Sequence, residues 1–113
     1  MSESCLFCRI VRSEIPADVV AETEKALAIR DINPEAPVHV LVFPKSHVAS
    51  LIDLKDEAEL GHLMALATTV AVEQGVGESG FRTVVNTRAD GGQTFNHLHI
   101  HVLGGRGMAW PPG

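Results

Sequence analysis

Near its C-terminus the chain runs His97-Leu98-His99-Ile100-His101-Val102-Leu103, with imidazoles alternating with aliphatic side chains. A period of two belongs to the β-strand, whose successive side chains point to opposite faces. Leu98, Ile100 and Val102 then form an apolar face that needs a packing layer. The three imidazoles share the other face, about 6.5–7 Å apart at Cα. This one segment calls for a sheet with an apolar layer behind it and a polar cluster in front. Desolvating three imidazoles without a use is costly, so the histidine face is read as functional.

The remaining periodicities supply the rest of the sheet. Cys5–Glu14 reads as a short helix or turn with Leu6, Ile10 and Phe7 inward, broken at Ile15-Pro16. Asp18–Glu22 and Ala26–Ile32 are strand candidates around a Thr-Glu-Lys turn, and Val38–Phe43 is a valine-rich buried strand closed by Pro44. One long helix is predicted from Asp53 as N-cap through Gln74, with Leu60, Leu63, Met64, Ala67, Val70 and Ala71 as its apolar stripe. Phe81–Asn86 and His97–Leu103 complete five strands, and Arg106–Gly113 forms a tail. The order predicts a single α+β domain over residues 1–113, with a mostly antiparallel five-stranded sheet, one long helix and one short.

Composition narrows the function. Nine Lys and Arg against fourteen Asp and Glu give a net charge of −5, which disfavours a general nucleic-acid binder. Four Phe, one Trp and no Tyr make a poor base-stacking platform. No apolar run is long enough for a membrane span, and Met1–Cys8 does not read as a signal peptide. A cytoplasmic enzyme or small-ligand binder is expected. The two cysteines form Cys5-x-x-Cys8, a spacing that suits a metal half-site or a redox pair.

A histidine face of this kind fits two chemistries: a zinc site, or covalent phosphoryl transfer in which one imidazole attacks phosphorus while its neighbours bind and protonate. The preceding Asp90-Gly91-Gly92-Gln93-Thr94 is a loop of backbone donors and small polar groups suited to oxyanions. No carboxylate side chain that could serve a hydrolytic zinc follows Asp90. Phosphoryl chemistry is the better reading.

The segment His97–Leu103 resembles the His-x-His-x-His-x-x signature of the histidine triad superfamily. Ile15-Pro16-Ala17, Arg30–Pro37, Val84-Val85-Asn86, Gly91-Gly92-Gln93-Thr94 and the Trp110-Pro111-Pro112-Gly113 ending extend the likeness over nearly the whole chain and place it near the Hint branch, the nucleoside phosphoramidases. The resemblance implies a HIT-like fold and a homodimer that cleaves purine nucleoside 5′-phosphoramidates and aminoacyl-adenylates, with AMP as a product. His99 would be the nucleophile that forms a nucleotidyl-histidine. His101, Thr94 and Gln93 would contact the phosphate, with Asn86 helping to orient it. Asp31 would bind the ribose hydroxyls; Leu6, Phe7, Ile10, Ile29 and Ile32 would line the base pocket; and His39 would touch the triad. Trp110 would reach the neighbouring subunit's site.

Some relatives in the superfamily also hold zinc through Cys-x-x-Cys, a distant histidine and the first triad histidine, which implies a structural zinc on Cys5, Cys8, His47 and His97. No cofactor is implied for the chemistry itself. A dinucleoside-polyphosphate hydrolase or nucleotidyl transferase of the same superfamily is a rival reading. Leu98 and His101 depart from the transferase pattern of His-Pro-His followed by Gln. A nucleotide-binding regulator without turnover is the third reading, and it would be favoured by loss of the nucleophile that His99 supplies.

Overall fold

The computed structural model describes residues 4–113; the first three residues of the segment read above for a signal peptide lie outside them. In chain order the elements are α1 (Leu6–Val11), β1 (Val19–Glu22), β2 (Ala26–Arg30), β3 (Val38–Pro44), a 3₁₀ turn (Leu51–Asp53), α2 (Glu57–Glu73), β4 (Phe81–Val84) and β5 (Ile100–Gly104). The strands form one sheet in the order β1-β2-β3-β5-β4, with every neighbouring pair antiparallel. The predicted α+β architecture, with one long helix and one short, is the one observed.

Side-chain alternation gives the sheet two differently covered faces. Ala26, Ala28, Val40, Val42, Ile100 and Val102 point toward α2 and pack on Leu63, Leu66, Ala67, Val70 and Ala71. The intervening Leu27, Ile29, Leu41 and Phe43 face the other way and are covered by Phe7 of α1. In the register of β3 on β5, Leu41 lies opposite His101 and Val40 opposite Val102. The imidazole of His101 therefore emerges on the α1 face, and its aliphatic neighbours are buried under α2. Gly104 allows this packing, because a Cβ there would lie 2.8 Å from Val76.

Several boundaries differ from the sequence reading. The long helix starts at Glu57, not Asp53. Ser50 donates its hydroxyl to Asp53 at 2.7 Å within the 3₁₀ turn, and Asp56 accepts from the backbone of Ala58 and Glu59 at 3.0 and 3.4 Å. Asp56 is thus the N-cap. The buried stripe includes Leu66, while Met64 is 39% exposed. The first hairpin is shorter than predicted, with β1 starting at Val19 and β2 ending at Arg30. The chain turns at Asp31, whose carboxylate accepts from the Asn33 backbone at 2.8 Å. The strand Phe81–Asn86 shortens to Phe81–Val84, whose last residue pairs with His101.

His97 and His99 precede β5, so the last strand spans Ile100–Gly104 and not His97–Leu103. The ladder from β3 ends at Val42 opposite Ile100. Beyond it, Leu98 N–H donates to Val48 C=O at 2.7 Å, in the segment following Pro44. The alternation continues through this lead-in, because Leu98 is buried in the α2 core.

Candidate active site

The histidines of the triad differ in the partners that fix their protons. His97 is fully buried, and its Nε2 lies 2.8 Å from the Pro44 carbonyl. A carbonyl only accepts, so the neutral ring carries its proton on Nε2 and its lone pair on Nδ1. Burial, reinforced by the neighbouring His47 and His99, pushes its pKa down to about 4 against the pull of the Pro44 carbonyl. The neutral ring is therefore the state at pH 7.

His99 is oriented the other way round. Its Nδ1–H donates to the His97 carbonyl at 2.7 Å, which leaves the Nε2 lone pair unprotonated and facing outward from that bond. The ring is stacked on Phe7 at 5.1 Å between centroids and meets Phe95 edge-on at 6.4 Å. Burial in this aromatic setting lowers its pKa, and the Asp31 carboxylate opposes the shift. A neutral imidazole with one free, directed lone pair is a competent nucleophile.

His101 is set by a fourth imidazole. His39 accepts from Glu35 N–H through Nδ1 at 3.0 Å, so its neutral ring keeps the proton on Nε2, which lies 2.9 Å from His101 Nδ1. His101 accordingly presents an Nε2–H donor. Its pKa is pushed down to about 4 by burial and by the neighbouring His99 and His39, with Asp31 acting in the opposite sense. Asp31 itself stands 3.4 Å from His39 Nε2. Backbone groups of Pro44, His97 and Glu35 thus fix the tautomer of each ring in the row, His101 through His39. Arg106 holds the Glu35 loop by donating to its carbonyl at 2.9 Å.

Two cavities flank this row. One of about 210 Å³ is lined by Leu6, Phe7, Ile10, Ile29 and Ile32 with Asp31, which brings together all of the residues predicted to hold a base and a sugar. Ile32 is 91% exposed, so it forms the rim and not the floor. The other, of about 440 Å³, is lined by Thr94, Asn96, Ser4 and His47 and shares Leu6, Phe7 and Phe95 with the first. Phe95 was not picked out from the sequence. Its place beside His99 depends on α1 folding across the sheet, and no local pattern encodes that.

Gln93, expected at the phosphate, uses its amide inside the loop. It accepts from Arg88 N–H at 2.8 Å and donates to the carbonyls of Ala49 and Phe95 at 2.7 and 2.8 Å. The loop closes tightly enough that a Cβ on Gly91 would lie 2.4 Å from the Thr87 carbonyl. Asn86 is half-buried two residues past β4. Trp110 is 83% exposed and lines neither cavity, although Arg82 ties its tail down by donating to Ala109 C=O at 2.9 Å.

Below the triad, Cys5, Cys8, His47 and His97 form a cluster that could hold a metal ion. Cys5 Sγ and Cys8 Sγ lie 3.3 and 3.6 Å from His97 Nδ1, and Cys8 Sγ lies 3.3 Å from His47 Nδ1. Sulfur and nitrogen ligands of a tetrahedral zinc stand about 3.5 Å apart. The Pro44 carbonyl also aims the His97 lone pair into the cluster, as an outer-shell acceptor does for a metal-bound histidine. The donor set fits such an ion.

The protein-family model described as "HIT domain" matches residues 12–108. An uncharacterized HIT-like protein of Synechococcus elongatus is 53% identical over 115 residues, covering all of both chains. A second, from Synechocystis, is 49% identical with the same coverage. Among solved structures, a HIT family hydrolase from Legionella pneumophila matches at TM-score 0.94 and 46% identity, over 97% of this chain and all of that one. A histidine triad protein from Clostridium difficile matches at TM-score 0.91 and 40% identity over 96% of each chain.

Proposed function

This chain belongs to the HIT domain family, and we propose that it is a nucleotide-binding hydrolase that cleaves purine nucleoside 5′-phosphoramidates, and aminoacyl-adenylates, through a nucleotidyl-His99 intermediate. The observation that carries this reading is the His99 tautomer: Nδ1–H is tied to the His97 carbonyl and the Nε2 lone pair is free. In the proposed mechanism, the base enters the apolar cavity and the Asp31 carboxylate accepts from the ribose hydroxyls. His101 donates Nε2–H to a non-bridging phosphate oxygen. His99 Nε2 attacks the α-phosphorus, a P–N bond forms to the imidazole, and the phosphoramidate's P–N bond breaks (in an aminoacyl-adenylate, the P–O bond of the mixed anhydride, releasing the carboxylate). The departing nitrogen takes a solvent proton relayed by the Thr94 hydroxyl. Water then attacks phosphorus, its proton returns to solvent, and the nucleoside monophosphate leaves with His99 restored.

Gln93 serves this site by holding the Thr94 loop in place, and Asn86 helps to orient the phosphate. Zinc on Cys5, Cys8, His47 and His97 would supply cross-linking only, with all four positions filled by protein. These ligands join α1, a wall of the base cavity, to the residue whose carbonyl orients His99. A homodimer is part of the reading. The position of β4 at the edge of the sheet and the exposed Trp110 tail support it, and Trp110 would then lie near the leaving group of the partner's site.

The test is turnover of adenosine 5′-phosphoramidate, followed as AMP release. The wild type is expected to hydrolyse it, with His99→Ala slower by at least ~10³. Retention of the rate by His99→Ala would remove the covalent mechanism.

A further inference from the structure

Asp31 stands between the sugar-side cavity and the phosphate-side histidines. One of its oxygens, Oδ1, is occupied by Asn33 N–H at 2.8 Å. The other, Oδ2, lies 3.4 Å from His39 Nε2. The proton on that nitrogen is bonded to His101 Nδ1 at 2.9 Å, with the charge of Asp31 Oδ2 beside it. The separation of 2.9 Å between the imidazoles is that of a hydrogen bond, shorter than the N···N distance of about 3.3 Å across a tetrahedral zinc. The three groups form a hydrogen-bonded imidazole pair with a carboxylate charge beside its donor nitrogen.

We propose that His39 is a positioning residue that couples occupancy of Asp31 by a vicinal diol to the donor strength of His101 at the phosphate. The inference rests on the nucleotide reading given above. Hydroxyls that donate to Oδ2 spread its charge and weaken its pull on the His39 N–H. The His39 proton then bonds more strongly to His101 Nδ1, and withdrawal of electron density from Nδ1 makes the opposite Nε2–H a stronger donor. Diol binding also screens the carboxylate, the one group that favours the cationic form of His101 against burial, His99 and His39. Both effects keep His101 neutral and donating when the sugar is seated. The titratable groups facing the pair are Asp31, from the end of β2, and His99, ahead of β5. The backbone of Glu35, held by Arg106, fixes the far side of the His39 ring.

This coupling predicts that the sugar hydroxyls act on kcat as well as on KM. The experiment compares adenosine 5′-phosphoramidate with its 2′,3′-dideoxy counterpart on the wild type and on His39→Leu. In the wild type, removing the diol is expected to lower kcat about fivefold, the kinetic equivalent of one net hydrogen bond, and also to raise KM. In His39→Leu the kcat ratio is expected to collapse to one while the KM ratio persists, because Asp31 still holds the diol. A wild-type effect confined to KM, or a kcat ratio that survives in His39→Leu, overturns the coupling.

A second readout needs neither turnover nor the variant. Imidazole ¹⁵N spectra of the wild type are recorded with AMP and with 2′,3′-dideoxy-AMP. AMP alone is expected to move His101 Nδ1 upfield, as a lone pair does when the hydrogen bond it accepts strengthens; identical spectra contradict the proposal. Absence of phosphoramidate turnover in the wild type would instead refute the hydrolase reading, and the ¹⁵N comparison would still decide the coupling.

Discussion

At the scale of single residues, the triad is three identical side chains given different tautomers by their partners: His97 and His101 keep the proton on Nε2 and His99 on Nδ1. Two of them, His97 and His101, have folded pKa values pushed down to about 4 from an ordinary 6.5. The unfolded chain therefore binds more protons than the folded one between these limits, and stability must fall as pH drops through that window. Urea unfolding of metal-free protein is expected to give a stability that is level above pH 6.5, declines toward pH 4 and flattens below it. His101→Gln should reduce the slope. A stability independent of pH across this range would contradict the assigned neutral states.

The alternation in the sequence revealed which imidazoles share a face, and likeness to a family signature singled out His99 as the candidate nucleophile. It could not reveal the tautomers, because Pro44, Glu35 and His39 reach the triad only after β3 pairs with β5. Gln93 was legible as a member of a polar loop but not as its internal clasp, since Ala49, which it grips, is distant in the chain.

At the scale of elements, α2 was foreseen as the only long helix and its start was misplaced. Both Asp53 and Asp56 have the side chain of an N-cap, and local sequence does not choose between them. Ser50 decides the matter by engaging Asp53, which leaves Asp56 to cap the helix. Asp56→Ala is therefore expected to cost about 1 kcal/mol in urea unfolding, and Asp53→Ala distinctly less. The reverse ranking would return the cap to Asp53. Met64 and Leu66 were exchanged for a similar reason. Both satisfy helical spacing relative to Leu63 or Ala67, and only the orientation of α2 on the sheet shows that Leu66 faces inward. The strands were better defined, because each has to satisfy an apolar layer on one or both faces.

At the scale of the whole molecule, the sheet separates a purely apolar layer under α2 from a layer in which α1, the histidines and both cavities meet. Among the described residues, no helix is long and apolar enough to cross a membrane. α1 has only six residues and packs through Phe7 and Cys8, so a cross-link at its base should matter for its attachment. The proposed zinc predicts about one equivalent of metal per chain by elemental analysis, and a lowered Tm after chelation or in Cys8→Ala. A protein that purifies without zinc, and whose Tm is indifferent to chelator, would exclude it. The Cys-x-x-Cys pair alone left metal and redox chemistry open, and the fold brings His47 and His97 to the two thiols.

In the proposed reaction His99 forms a bond to phosphorus. Rapid acid-free quenching of the wild type with adenosine 5′-phosphoramidate, followed by intact-mass and peptide analysis, tests it directly. A transient mass increase of one adenylyl group is expected, mapped to His99 and absent in His99→Ala. Steady turnover with no adduct at any time point, or an adduct on another histidine, would contradict it.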